Sequence, residues 1–210
     1  MKMTLLAPTT VDIGWVRNAR KGWLLLVVAT VALLFMFTAS PWASPVREGI
    51  QLAGLGLILV CIAGRTWCAL YIGGRKTRAL VTVGPYSVSR NPLYGFSILG
   101  AFGVGAQLGS LSVALIAGAS AGIIHRMVVM QEERLLLSEH RDIFQRYVAG
   151  VPRFLPRLDL WKNGEFLDVR PRAVATTFLD ACFFLAAIPV AALCAYCQQV
   201  GLVSVLLRLP

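Results

Sequence analysis

Residues 91–124 read NPLYGFSILGAFGVGAQLGSLSVALIAGASAGII, and these 34 residues carry no formal charge. A helix that crosses a bilayer core of about 30 Å needs only about 20 apolar residues, so this stretch is too long for a single span. A more polar break from Gln107 to Ser112 divides it into two parts. We therefore predict a tight hairpin of two short membrane helices, over residues 93–107 and 111–130.

The rest of the chain also has the composition of a membrane protein. Its 210 residues are 57% hydrophobic and 14% charged, and the mean hydropathy is +0.71. These values exclude a disordered chain, and a water-soluble globule of this size could not bury so much apolar surface. Three more apolar stretches predict spans at about residues 22–39, 49–71 and 175–198. The predicted fold is an all-α, polytopic membrane helical bundle with five transmembrane helices, forming a single domain over residues 1–210.

Basic residues outnumber acidic residues, with 20 Lys and Arg against 10 Asp and Glu. In the five-helix arrangement, 16 of the 20 basic residues fall in three segments on the same side of the membrane. Loops rich in Lys and Arg stay in the cytoplasm, so the pattern predicts a cytoplasmic N-terminus and cytoplasmic loops over residues 75–94 and 131–172. It favours an integral membrane protein over a nucleic-acid-binding protein.

The first of these loops brings polar residues to the start of the hairpin. A Gly-Pro turn signal lies within it, and Pro92 keeps Asn91 extended just before the helix begins. Arg90, Asn91 and Tyr94 are thereby expected at the membrane surface, where a guanidinium beside a helix N-terminus suits a carboxylate or a phosphate. The alternative is a structural loop in which Arg90 extends towards lipid phosphates.

The second loop is predicted to begin with an amphipathic helix that continues from the fourth span. At about 100° per residue, one apolar stripe contains four residues: Glu132, Leu136, Ile143 and Tyr147. A carboxylate within such a stripe requires a partner or a ligand. Either a cationic ligand or Arg90 would satisfy Glu132, and a purely structural Glu–Arg pair is the alternative. Prolines after Val151 are expected to end this helix.

Both loops carry motifs that resemble a known family. The first reads Leu80-Val81-Thr82, Gly84, Tyr86 and then Arg90-Asn91-Pro92-Leu93-Tyr94-Gly95. The second reads Glu132-Glu133-x-x-Leu136, Phe144, Tyr147, Val151-Pro152 and Pro156. Together with the uncharged hairpin between them, they resemble the integral-membrane methyltransferases of the isoprenylcysteine carboxyl methyltransferase and phospholipid methyltransferase group, with Asn91 where the prenylcysteine enzymes have His.

The resemblance implies an S-adenosylmethionine-dependent methyltransferase that modifies a lipid or lipid-linked acceptor from the bilayer, at the cytoplasmic face. Carried over residue by residue, it implies a cofactor pocket lined by Tyr86, Arg90, Asn91, Pro92, Tyr94, Glu132 and Glu133. It implies catalytic roles for Glu132 and Arg90. No metal is expected to take part, because methyl transfer needs mainly alignment of the reactants and exclusion of water.

Two other functions remain open at this point. A non-enzymatic membrane adaptor would use the basic segment 153–172 on anionic lipids. A relative of the sterol reductases would use NADPH. Within the bundle, Asp180 could pair with Arg65 or Arg172. Candidate contributors to the acceptor site are Arg65, Trp67 and the segment around Asp168.

Overall fold

The structure, a computed structural model, describes residues 32–33, 35–72, 80–139, 141–164 and 166–210. Most of the predicted span over residues 22–39 lies outside the described residues. The same holds for the basic N-terminal segment and for residues 73–79 of the first loop. The five-span topology and the cytoplasmic N-terminus therefore stay predictions.

The described part of the chain is mostly helical. Its α-helices are α1 (Ser44–Ile72), α2 (Pro85–Val88), α3 (Pro92–Ala106), α4 (Leu111–Glu139), α5 (Arg141–Gly150), α6 (Pro171–Cys182) and α7 (Ala187–Gln199). Short 3₁₀ turns occupy Leu158–Leu160 and Phe183–Ala186. Two-residue strands, β1 (Thr38–Ala39) and β2 (Leu207–Arg208), pair in parallel. The predicted all-α class is confirmed, with this small strand pair as an addition.

Three helical stretches within the described residues are long and apolar enough to cross a membrane. They are α1, residues 111–138 of α4, and the stretch Pro171–Gln199 that comprises α6, a 3₁₀ turn and α7. Helix α3 is apolar but has only 15 residues, which is about 22 Å at the rise of an α-helix. Each of the four corresponds to a predicted span. Helix α4 continues well beyond residue 130, as expected for a helix that leaves the membrane.

A sharp turn joins the two helices of the hairpin. Helix α3 begins at Pro92, whose missing N–H is no loss at a first helical position. After α3, Gly109 adopts a φ of 70°, a conformation that favours glycine. The turn between α3 and α4 therefore lies within the polar break, Gln107 to Ser112, that divides the uncharged run.

Helices α1 and α3 approach closely at small residues. A Cβ added to Gly54 would lie 2.9 Å from the carbonyl oxygen of Gly103, and one added to Gly103 would lie 2.6 Å from that of Gly54. Close backbone approach through small residues is typical of helix packing in membranes. Large apolar side chains such as Leu52, Leu115 and Leu193 are exposed on the outer faces, which is the surface that a lipid-embedded bundle presents.

Candidate active site

The loop before α3 is held by glycine geometry and by a distant segment. Gly84 has a φ of 60°, and a Cβ there would lie 2.1 Å from the Tyr71 ring. The Gly84 amide donates to the carbonyl of Lys162 at 2.8 Å, and the Lys162 amide donates to Ser87 Oγ at 3.0 Å. Only glycine meets both the turn and the contact without strain.

The segment after α5 lies along the whole of this loop. The Arg90 amide donates to the carbonyl of Pro152 at 2.8 Å, and the Arg157 amide donates to that of Val88 at 3.0 Å. Asn91 Nδ2 also donates to the carbonyl of Arg153 at 3.3 Å. These bonds fix residues 84–91 against residues 152–162, so the two sequence motifs lie side by side.

A cavity of about 120 Å³ opens between the two motifs. Its polar lining residues are Tyr86, Arg90, Asn91, Tyr94, Glu132, Glu133 and Tyr147, and apolar side chains such as Leu93 and Leu136 complete the wall. Six of the seven cofactor-pocket residues implied by the resemblance thus meet at one cavity. The seventh, Pro92, is buried at the first position of α3 and does not line it.

Arg90 was an expected partner of Glu132, but the structure shows a hydrogen bond to Glu132 from Tyr94. Tyr94 Oη donates to Glu132 Oε1 at 2.7 Å, while Arg90 lies against Glu133 instead. The pairing of Glu132 with Arg90 is therefore corrected. Because successive residues on a helix point about 100° apart, only one of the two carboxylates can face the Arg90 side of the loop.

Glu133 lies between two arginines. Its Oε1 is 3.3 Å from Arg90 Nε, and its Oε2 accepts a hydrogen bond of 2.6 Å from Arg153 Nη2. The side chains of Arg90 and Glu133 are only 9% and 14% exposed, and that of Arg153 is 37% exposed. Charges this deeply buried need partners, so the cluster ties α4 to both the loop and the segment after α5.

Two tyrosines, Tyr86 and Tyr147, also line the cavity. Tyr147 Oη donates to the carbonyl of Tyr86 at 2.6 Å. Burial raises the pKa of both phenols well above the usual value for tyrosine, so both stay protonated in neutral solution. Tyr86 Oη is buried and has no hydrogen-bond partner among the described residues. Since Tyr86 lines the cavity, this hydroxyl is available to a ligand.

The amphipathic helix differs from its predicted register. Of the four residues counted in the apolar stripe, Glu132, Leu136 and Tyr147 line the cavity. Ile143 is exposed, whereas Phe144 is buried and lines the cavity. Sequence reasoning did not assign Phe144 or Tyr147 to the pocket, although both belong to the second motif.

Comparisons with known proteins agree with these motifs. A family model described as phospholipid methyltransferase matches residues 49–141, from within α1 to the start of α5. That range includes Arg90, Tyr94 and both glutamates of the cavity. No solved structure matches the chain.

Two curated proteins are similar over larger parts of the chain. The cobalt-zinc-cadmium resistance protein CzcN of Cupriavidus metallidurans is 37% identical over 144 residues, which are 69% of this chain and 65% of that protein. The nickel-cobalt-cadmium resistance protein NccN of Alcaligenes xylosoxydans xylosoxydans is 32% identical over 187 residues, which are 88% of this chain and 86% of that protein. With the two motifs gathered at one cavity beside apolar helices, the chain belongs to the phospholipid methyltransferase family of integral-membrane proteins.

Proposed function

We propose that this protein transfers a methyl group from S-adenosylmethionine to a lipid or lipid-linked acceptor in the membrane. The observation that carries the proposal is the cavity in which Tyr86, Arg90 and Tyr94 of the first motif face Glu132 and Glu133 of the second. Candidate membrane helices α1 and α4 both contribute residues to its wall, which suits an acceptor that arrives from the bilayer. We further propose that the cavity faces the cytoplasm of a bacterial inner membrane, in agreement with the charge pattern of the loops.

The cavity has the chemical groups that S-adenosylmethionine requires. This cofactor combines a carboxylate, an ammonium, a sulfonium and an adenine ring. The Arg90–Glu133 pair offers both signs of charge at one place, which suits an amino-acid head group. The buried Tyr86 hydroxyl still lacks a partner among the described residues, and aromatic rings suit a sulfonium or an adenine.

The bound cofactor would supply an activated methyl group, so the protein itself has a limited task. Arg90, Tyr86 and the two glutamates, Glu132 and Glu133, would bind and orient the cofactor. Leu93 and Leu136 would exclude water from the reacting atoms. The loop that carries Tyr86 and Arg90 is held by backbone hydrogen bonds to residues 152–162.

Glu132 is the candidate for proton transfer. Tyr94 fixes one of its oxygens through the 2.7 Å hydrogen bond. An amine acceptor must lose a proton to attack the methyl group, and a carboxylate at the cavity wall can receive it at Oε1 or Oε2. A carboxylate acceptor would need no base, and Glu132 would then serve only in binding.

Calorimetric titration of the purified protein with S-adenosylhomocysteine tests this proposal. We expect binding by the wild type, and Glu132→Gln should weaken it about 10-fold or more, since a hydrogen bond to a charged group contributes about 1.5–3 kcal/mol. The matched control is Asp142→Asn, which removes an exposed carboxylate on α5 and should leave binding unchanged. Unaltered binding in Glu132→Gln would refute the site assignment.

The same titration distinguishes the other two functions. A sterol-reductase-like enzyme would bind NADPH, and a membrane adaptor would bind neither ligand. Absence of S-adenosylhomocysteine binding by folded wild-type protein would therefore refute the methyltransferase proposal. Binding of NADPH in its place would support the reductase.

The two relatives provide a cellular setting, because both are named for metal resistance. We propose that methyl transfer by this protein contributes to growth under cobalt, zinc, cadmium or nickel stress. A strain that lacks the gene should recover tolerance with the wild-type gene but not with Glu132→Gln. Full recovery with Glu132→Gln would show that any resistance role is independent of methyl transfer.

A further inference from the structure

Arg65 is a charged residue within an otherwise uncharged part of a candidate membrane helix. It lies in α1, about two helical turns, or about 10 Å, before the helix ends at Ile72. From Gly49 to Ile72 it is the sole residue with a formal charge. An ionisable side chain at such a position is costly and is usually retained for a function.

Among the residues that the structure describes, no carboxylate forms an ion pair with Arg65. Its Nη1 donates to Ser97 Oγ of α3, and the Ser97 hydroxyl in turn donates to the carbonyl of Leu93 at 2.9 Å. Arg65 Nε is buried and has no hydrogen-bond partner among the described residues. Asp180, the partner that the sequence suggested, is exposed and forms no ion pair with Arg65. A neutral hydroxyl orients the guanidinium but does not neutralise it.

The helix positions of Ser97 and Ile72 relate Arg65 to the cavity. Ser97 follows Leu93 and Tyr94 by about one helical turn, and both of those residues line the cavity. Ile72, which lies two turns after Arg65 on the same face of α1, lines it as well. The guanidinium is therefore about one turn, or about 5 Å, from the cavity floor towards the middle of the helices.

Arg126, in another candidate membrane helix, provides a comparison for Arg65. Arg126 in α4 is exposed, as expected of an arginine whose stem lies along the protein surface and whose head reaches lipid head groups. Arg65 is instead half-buried between α1 and α3, where Ser97, only 3% exposed, holds it. Extension towards bulk head groups does not account for a guanidinium held in this way.

We propose that Arg65, oriented by Ser97, binds an oxyanion of the acceptor lipid, so that the acceptor is an anionic lipid. The oxyanion is a carboxylate or a phosphate, because both match the forked donors of a guanidinium. Bound there, it places the rest of the lipid head group one turn away, at the floor of the cavity. This inference rests on the proposed methyl transfer and adds the chemical class of the acceptor.

The experiment measures lipid binding by native mass spectrometry in a neutral detergent. The probes are oleate, dioleoyl phosphatidic acid and, as the uncharged control, dioleoylglycerol. Wild-type protein should bind at least one anionic probe 10-fold or more tightly than dioleoylglycerol. Tighter binding of oleate would identify the oxyanion as a carboxylate, and tighter binding of phosphatidic acid would identify it as a phosphate. Arg65→Gln should lose this preference, and the matched variant Arg126→Gln should keep it.

A parallel titration with S-adenosylhomocysteine separates a lipid oxyanion from the carboxylate of the cofactor. Arg65→Gln should keep that affinity within about twofold, since Arg65 is assigned to the acceptor. A 10-fold loss of cofactor affinity with unchanged lipid binding would overturn the proposal, as would a lipid preference that survives Arg65→Gln or disappears equally in Arg126→Gln.

Ser97→Ala is a second variant, which removes the hydrogen-bond acceptor of Arg65 and keeps the charge of the guanidinium. It should weaken anionic lipid binding at least threefold by releasing the guanidinium, and unchanged binding would count against the proposal. Absence of S-adenosylhomocysteine binding in the wild type would instead refute the methyltransferase function, while the lipid titrations would still decide the role of Arg65.

Discussion

Replacement of Glu133 by glutamine tests whether the two-arginine cluster holds the site together. The carboxylate is 3.3 Å from Arg90 Nε and 2.6 Å from Arg153 Nη2, and it connects α4 with both segments that border the cavity. Glutamine has almost the same shape but no charge. The substitution therefore removes the counter-charge of both arginines and leaves the packing nearly intact.

The expected loss of stability follows from the exposure of each arginine. Removal of one partner from a buried pair costs about 3–5 kcal/mol, because the remaining charge stays desolvated. Arg153 is 37% exposed and can turn into solvent, whereas Arg90 is 9% exposed and cannot. We therefore expect the free energy of unfolding to decrease by the lower limit of this range, about 3 kcal/mol. For a chain of this length it corresponds to a decrease in Tm of about 6–12 °C.

Thermal unfolding in detergent, followed by tryptophan fluorescence, measures this decrease. The control is Asp159→Asn, because Arg157 also contacts its carboxylate through two atoms, at 2.6 and 3.4 Å, but both side chains are more than half exposed. Solvent screens such a pair, so the control should keep a Tm close to that of the wild type. Equal shifts in the two variants, or a shift below about 2 °C in Glu133→Gln, would refute the reasoning.

Two further predictions concern the loop and its tyrosines. Burial raises the pKa of Tyr86 and Tyr147, so above about pH 10 the unfolded chain loses protons that the folded protein keeps, and stability falls as the pH rises. The double variant Tyr86→Phe/Tyr147→Phe should show a smaller decrease in Tm between about pH 9.5 and about pH 11, and an equally steep decrease would contradict this assignment. Gly84→Ala should lower stability by about 1–3 kcal/mol, because Gly84 has a φ of 60° and its added Cβ would lie 2.1 Å from Tyr71. Gly122→Ala in α4, where a Cβ meets nothing within 4 Å, should not destabilise the protein.

Charge and polarity in the sequence predicted the hairpin well, because both act through local rules. A proline marks the start of α3, and a polar break with a glycine marks its end. The same local rules failed at α5. The stripe counted from Glu132 placed Ile143 on the packed face, whereas the structure exposes Ile143 and buries Phe144 beside the cavity.

The joining of the two motifs was not predictable in detail from the residues alone. It depends on backbone hydrogen bonds, such as those from Arg90 to Pro152 and from Gly84 to Lys162, and backbone groups carry no sequence signal. The partner of Glu132 was missed for a related reason. Its choice between Arg90 and Tyr94 depends on how the loop is placed against α4, which only the three-dimensional structure shows.

The adjacent carboxylates of the second motif differ in the partners that the structure shows for them. Glu133 faces two arginines, so its charge holds the loop as well as the cofactor, and its loss should lower both Tm and cofactor affinity. Glu132 accepts a hydrogen bond from a neutral phenol, and glutamine can accept the same bond through its own Oε1. Glu132→Gln should therefore keep the hydrogen bond from Tyr94 and yet bind S-adenosylhomocysteine more weakly. If Glu132→Gln bound S-adenosylhomocysteine as tightly as the wild type, the assignment of Glu132 to the site would have to be abandoned.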